Sequence, residues 1–394
     1  SPPVPATMPD GRPWPRVSVV TPSYNQAQFI EETIRSVLLQ GYPNLEYIII
    51  DGGSTDGSVD IIRRYEPWLA YWVSERDKGQ SDALNKGLRH ATGEIVGWLN
   101  SDDTYCPGAV QYAAEYLAAN FSLAAVYGDC NRIDENGANR GVLIGNDFSL
   151  RSLVLGNFIP QPTVFVRRHV LEELAGWDRE LHFVMDYDLW LRIGLCGYTM
   201  RYVPGTSANF RLHGRSKTVS QSSKFFNEIE ISLERLFADS RMPEDLRPLK
   251  EKAIALVYLR AACSAYWERL IAEGQRNLAR AIELHRDILE DYDQVMRALM
   301  SSVAGEKYAI SYLQFFFDHL PETARPLIRM RNKALSDIWV QQAFRAFWDG
   351  DHATVCRVLA RAIVCRPAWL RNRGVWSIFV RSLLRRKASC PKSA

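Results

Sequence analysis

The sequence has no apolar run long enough to cross a bilayer. Uncharged stretches such as Tyr116–Gly128 are short and mixed, well below the roughly 20 apolar residues a spanning helix needs. It has no C-x-x-C pair either. Its seven cysteines (Cys106, Cys130, Cys196, Cys263, Cys356, Cys365 and Cys390) are scattered and odd in number, which argues against structural zinc and for a reducing compartment. No G-x-G-x-x-G follows the first apolar run, where TPSYNQ stands instead, so a dinucleotide-dependent oxidoreductase lacks its phosphate loop. The opening SPPVPATMPDGRPWP lacks the apolar core of a signal peptide and is expected to be a flexible leader over residues 1–15. Acid is missing from one end: His352 to Ala394 holds ten Lys or Arg and no Asp or Glu.

What is present is ordinary in bulk and uneven in detail. A chain of 394 residues is long enough for two domains. Hydrophobic content of 47% with 24% charged residues fits a soluble globular protein, expected in the cytoplasm. The net charge of +3 conceals an asymmetry, because the residues before His352 carry 38 of the 48 bases against all 45 acids, a net of −7. A mildly acidic body is joined to a strongly basic tail.

Residues 17 to 129 alternate short apolar runs with amphipathic segments. The runs are VSVVT, LEYIIID, LAYWVS, EIVGWLN and LAAVYGD. Between them Phe29, Ile30, Ile34, Val37 and Leu38 share a helical face, as do Val59, Ile62 and Tyr65, then Ala83, Leu84, Gly87 and Leu88. This alternation predicts a mainly parallel sheet flanked by helices, with ligands beyond the carboxyl ends of the strands. Polar clusters stand at those ends: TPSYN, DGGSTDGS and NSDD. A further strand is expected at PTVFVRR (162–168) and a helix from Asp186 to Leu195. After about Ser220 the composition turns helical, and Ala343 to Pro367 resembles one tetratricopeptide-like helical hairpin around Gly350.

Two adjacent carboxylates at the end of a strand, as in GWLNSDDT, repel each other unless a cation joins them. That motif, the run VVTPSYNQAQFIEETIRSVLLQGYPNLEYIIIDGGSTDGS, then GQSDALNKGL and MDYDLWLR together resemble the family 2 glycosyltransferases of the GT-A fold. The resemblance covers roughly residues 15 to 215. It implies an α/β domain over 16–218, a nucleotide-binding half-sheet joined to an acceptor-binding half, followed by an α-helical domain over 219–394.

Each motif also has a reading from its own chemistry. A nucleotide sugar offers a base, a ribose, a diphosphate and an anomeric carbon. Asp51 and Tyr24 match family positions for uracil recognition; the competing roles are a helix cap and a surface aromatic. Pro22, Gln80, Asn100 and Ser101 complete the expected nucleotide site. NSDD looks like the family's D-x-D element, with Asn100 in place of the first Asp, so Asp102 matches the principal ligand of Mg²⁺ or Mn²⁺. The amide of Asn100 is expected to reach ribose or metal-bound water. Turn and helix capping is the structural alternative for Asp102 and Asp103. His213 falls where a late histidine often reaches the metal or diphosphate, with Arg211, Arg215 and Lys217 flanking it as phosphate-facing or solvated cations.

The acceptor hydroxyl needs a base. Asp186 matches the second carboxylate of the family's Glu-Asp pair, with Met185 in place of the Glu; its competing role is a helix N-cap. It shares a helical face with Leu189, Trp190 and Ile193, a setting that raises a carboxylate's pKa. Asp188 is expected to pair with Arg192. Trp190 and Gln161 are candidates for the sugar or acceptor pocket, core packing being the alternative for Trp190.

The resemblance thus implies an inverting, metal-dependent transferase using a UDP-sugar and a glycan or lipid-linked acceptor for surface polysaccharide. Rival classes are a nucleotide-sugar pyrophosphorylase, whose Gly-rich basic loop is absent, and a catalytically weak scaffold that keeps the fold. In the tail, GVWSIFVRSLLRR sets apolar residues beside arginines, the composition of a helix lying on an anionic membrane, here the cytoplasmic face of the inner membrane. Packing on the helical domain is the alternative, and nucleic acid is disfavoured for want of a reading motif.

Overall fold

The computed structural model describes residues 4–214, 222–303 and 308–388. The chain forms two compact units, Ser1–Lys250 and Glu251–Ala394.

The first unit is built on one mixed sheet. Strands β1 (Val17–Ser23), β2 (Leu45–Asp51), β3 (Tyr71–Ser74) and β4 (Ile95–Trp98) run parallel. All of β1 and nearly all of β2 are buried, as expected of parallel strands covered on both faces, and their polar residues Ser18, Thr21, Glu46 and Asp51 are buried with hydrogen-bond partners. The connecting helices are α1 (Ile30–Leu38), α2 (Ser58–Arg64) and α3 (Gln80–His90). α1 buries Ile30, Thr33, Ile34 and Val37, the stripe expected from the spacing. α3 lies very close to β1: a Cβ on Gly87 would sit 2.3 Å from Val20 Cγ1.

Beyond β4 the chain direction reverses. β8 (Phe165–Arg167) pairs antiparallel with β4, and β6 (Leu123–Asp134) with β8. β9 (Thr199–Leu212) then runs parallel to β6, and β5 (Thr104–Tyr105) antiparallel to β9. The order is β3-β2-β1-β4-β8-β6-β9-β5, with β7 (Asn139–Leu143) attached to β6. In register, Ser23 faces Asp51, which faces Ser74, and Val20 faces Trp98. The loops that follow β1, β2 and β4 therefore gather on one edge. After α4 (Ala109–Ala119), α5 (Leu150–Leu155) and α6 (Arg168–Glu173), a loop at 177–184 leads into α7 (Met185–Leu195).

Two expectations change. The strand expected over 162–168 is shortened to β8 by a 3₁₀ turn at Gln161–Thr163; Pro160 and Pro162 have no N–H to give to a ladder. Within the leader expected to be flexible, Met8 and Trp14 are buried in the sheet's core cluster, with Val4 packed against it. Trp14 meets the Tyr42 ring edge-on at 5.5 Å and donates from Nε1 to the Pro5 carbonyl. Isolated apolar residues among prolines carry no periodicity, so the sequence gives no sign of their burial.

Every element among the described residues of the second unit is a helix. Helices Arg331–Trp348 and His352–Cys365 form a hairpin turned at Gly350, whose φ is +78°. Buried Ser336 donates to the Ala362 carbonyl across it, at 2.7 Å. Helix Arg373–Ala388 buries Val375, Ile378 and Ser382. Trp376, Leu383 and Leu384 are exposed beside Arg381 and Arg385. No helix among the described residues is long and apolar enough to cross a membrane.

Candidate active site

The loops after β1 and β2 are laced into one rim. Asn25, held at φ +52°, a conformation asparagine tolerates, accepts from the Thr55 N–H through Oδ1 and donates its own N–H to Ser54 Oγ. Gln26 and Ala27 give their N–H groups to Ser58 Oγ and Asp56 Oδ2. Asp51 is fully buried and orders this loop, accepting from the N–H groups of Gly53 and Ser54 and from the hydroxyls of Ser54 and Ser74. It caps the loop rather than α2. Tyr24 projects from the rim with 63% of its surface exposed, and Pro22 is buried beneath it in β1.

Asn100, just past β4, is a hub. Its Oδ1 accepts from Gln80 Nε2 at 2.7 Å and Trp98 Nε1 at 2.8 Å. Its Nδ2 donates to Gln161 Oε1 at 3.1 Å and Asp103 Oδ2 at 3.3 Å. An amide has two acceptor and two donor positions, and all four are filled, so the amide expected to reach ribose or metal-bound water is engaged by protein. Gln161 closes the network by donating to the Trp98 carbonyl at 2.8 Å. The sequence reading missed Trp98, though its place two residues before Asn100 at a strand end marks it. Ser101 is buried next to this hub.

Asp102 faces His213, with 3.0 Å between Oδ2 and Nε2, and the imidazole lies 4.8 Å from the Phe29 ring. Asp103 is wholly buried and accepts from the Arg211 N–H. Burial and the neighbouring Asp102 push its carboxyl well above the usual carboxylate range. Arg211 does not face a phosphate. It is 2% exposed, donating to the carbonyls of Asp102, Asp134 and Glu135 and to Glu32, with its guanidinium over Phe29. Arg215 and Lys217 lie outside the described residues.

Two protein ligands to one octahedral cation at about 2.1 Å each stand about 3 Å apart, the separation of Asp102 Oδ2 and His213 Nε2. No group of three or more His, Cys, Asp or Glu suited to a metal occurs among the described residues. Among the described residues this pair would supply two ligands to a cation, leaving its other positions to further groups such as water or phosphate.

Asp186 stands in the first turn of α7, half-buried. Burial raises its carboxyl to about 6, against the N–H groups of Tyr187 and Asp186, which pull it down. Those bonds give it part of the capping role as well. Asp188 is buried and paired with Arg192 at 2.7 Å, which also donates to the carbonyls of Leu174 and Gly176. Trp190 is 1% exposed, so its ring packs the core rather than flooring a pocket. Hydrogen bonds thus join Gln80, Asn100 and Gln161 at the end of β4, and the Asp102–His213 pair connects to them through Asp103 and Arg211.

Residues 18–174 match the glycosyl transferase family 2 model. An uncharacterized glycosyltransferase of Mycobacterium tuberculosis is 34% identical over 185 residues, covering 46% of this chain and 70% of the relative. Chondroitin synthase of Escherichia coli is 28% identical over 234 residues, 56% of this chain and 33% of that protein. Among solved structures, a mannosyltransferase of Pyrobaculum calidifontis in complex with GDP-Man and Mn²⁺ superposes with a TM-score of 0.51 at 20% identity, covering 91% of this chain and 88% of the other. S. aureus TarS 1–349 in complex with UDP-GlcNAc gives 0.51 at 15% identity, covering 91% and 92%. At these identities the structural likeness speaks for the fold alone.

Proposed function

Because the chain belongs to glycosyltransferase family 2 and is a glycosyltransferase, we propose that it transfers a sugar from a nucleotide donor to an acceptor hydroxyl in one inverting displacement. The observation that carries this reading is Asp186, a half-buried carboxylate raised to about 6, set apart on α7 from the Asp102–His213 pair at the end of β4. A base poised near neutrality suits proton uptake from a hydroxyl. As the acceptor oxygen bonds to the anomeric carbon, Asp186 takes its proton and the carbon–oxygen bond to the diphosphate breaks, its electron pair leaving on the phosphate. Asp186 then returns the proton to solvent.

Asp102 and His213 hold a divalent cation in this scheme. Mg²⁺ or Mn²⁺ bound there supplies a Lewis acid for the charge that gathers on the departing phosphate. Tyr24 offers an exposed ring for a base to stack on, and the rim built on Asp51 backs it. UDP is the nucleotide favoured by the family positions of Asp51 and Tyr24. The acceptor is a glycan or lipid-linked saccharide of surface polysaccharide, in keeping with a relative named for polymer synthesis. The exposed apolar residues and arginines of helix Arg373–Ala388 suit an anionic membrane that presents such an acceptor at its cytoplasmic face.

A donor panel followed by nucleoside diphosphate release tests the reading, with Asp186→Asn beside the parent. Turnover falls about 10³-fold or more in the variant, while binding of the donor stays within twofold. In the parent, kcat/KM rises with pH through about 6 and levels off above it, because only the carboxylate accepts a proton. A product that retains the donor's anomeric configuration overturns the scheme.

A further inference from the structure

We infer that helix Ser222–Ala238 sets the position of Asp186, with Glu228 as the positioning residue and Arg235 as its second anchor. The inference rests on Asp186 being the base. The loop at 177–184 delivers the N-terminus of α7, and Val184, the residue that opens the helix, makes no side-chain cap bond. Glu228 supplies the missing acceptor from outside. Its carboxylate takes the N–H groups of three consecutive residues: His182 at 3.0 Å to either oxygen, Phe183 at 2.7 Å and Val184 at 3.2 Å. The last of these is two residues before Asp186. Charge-assisted bonds to backbone N–H groups are short and strong, and three in a row fix the path of the chain.

Arg235 lies seven residues further on, about two turns along the same helix face. It bonds Asp178 Oδ2 at 2.7 Å and Glu180 Oε2 at 2.9 Å. The helix therefore presents an anion to the N–H groups at one end of the loop and a cation to the carboxylates at the other. A slide or a turn of the helix loses both sets, so the contact defines one register.

The other wall of the loop is α3. Asn85 brackets Trp177, donating to its carbonyl at 2.7 Å and accepting from its N–H at 3.0 Å. Ser81 donates to the Leu181 carbonyl at 2.9 Å, and Asp82 meets Arg179 at 3.4 Å. α3 opens with Gln80, which holds Asn100. The loop before Asp186 is thus clamped between the element that carries the donor network and a helix outside residues 18–174. His182, Phe183, Lys224, Asn227 and Glu228 line an open depression beside it, and Glu228 is only half-buried.

The test uses the full chain with Glu228→Ala, Glu228→Gln and Arg235→Met. Glu228→Ala lowers kcat by about 10–100-fold, the scale of an ångström-sized misplacement, with the donor KM and the Kd for UDP within twofold of the parent. Glu228→Gln keeps an acceptor oxygen and recovers most of the loss, and Arg235→Met shows a smaller fall of the same kind. Hydrogen exchange of the His182–Tyr187 amides speeds up about tenfold or more in Glu228→Ala. Parental kcat in Glu228→Ala, or a loss carried equally by UDP affinity, overturns the clamp. Asp186→Asn measured alongside separates the two failures, since turnover surviving there sinks the base and not the exchange result. Where Glu228→Ala does not fold, the Gln and Met variants carry the same comparison.

Discussion

Asn100 and Asp102 stand two residues apart, and their surroundings give them different tasks. Every donor and acceptor of the Asn100 amide is used within the protein, whereas Asp102 turns an oxygen toward His213. Asp102→Ala therefore lowers turnover by about 10²–10³-fold, the scale for loss of a preorganised electrostatic partner, with little change in melting temperature. Asn100→Ala strands the Trp98 and Gln80 donors and costs about 1–3 kcal/mol of stability, with a smaller loss of turnover. Titration with Mn²⁺ and thermal unfolding of both variants check this; equal activity losses count against it. Asp186→Asn moves stability the other way. A folded pKa raised from 3.8 to about 6 adds stability below the unfolded value, and that contribution is lost as pH rises through the folded one. At pH 7.5 the ionised carboxylate is thus a burden that asparagine removes. That polar clusters of candidate residues stand at the ends of strands was legible from the residue types there. How each is engaged was not: Arg211 looked like a phosphate cation because nothing local reports that Glu32 and three carbonyls surround it.

Elements were the most legible level. Buried strands show as mainly apolar runs and amphipathic helices as stripes, so β1, β2 and α1 followed from spacing, and a helix was expected from Asp186 where α7 starts at Met185. The role of helix Ser222–Ala238 did not, since its partners Asp178 to Val184 lie some 50 residues away and the charges that meet them look like any solvated face. Close approach is equally silent. Gly87 reads as a weak point in α3, yet it is where α3 touches β1. Gly87→Ala places a methyl against Val20 and costs about 1–3 kcal/mol through overpacking. It also shifts Gln80 from Asn100, weakening donor binding. Thermal melts and donor titrations decide between this and the helix propensity gained by alanine; a more stable variant with parental affinity refutes it.

For the whole molecule the uneven charge matters most. Ten Lys or Arg and no acid lie between His352 and Ala394, and Arg381 and Arg385 stand exposed beside Trp376 and Leu384. Each such arginine adds about 1 kcal/mol of attraction to an anionic surface. The expected outcome is flotation with phosphatidylglycerol-rich liposomes at low salt and release as salt screens the contact. Arg381→Glu with Arg385→Glu lowers the partition by about tenfold or more and leaves kcat on a soluble acceptor unchanged. These variants are preferable to deleting the helix, which would uncover the apolar face that Val375 and Ile378 cover. Equal flotation of parent and variant removes the membrane from the account.

The laced rim has a consequence for how quickly a donor is caught. Asn25, Gln26 and Ala27 are tied to Ser54, Thr55, Asp56 and Ser58 before any nucleotide arrives, so this edge has already given up its conformational freedom. A base that stacks on Tyr24 meets a receptor in its receiving shape. Encounter here is governed by diffusion and orientation rather than by waiting for a loop to order. On the scheme proposed above, the slow events then belong to the other half of the site, where an acceptor must be brought to Asp186 beside the loop that Glu228 holds.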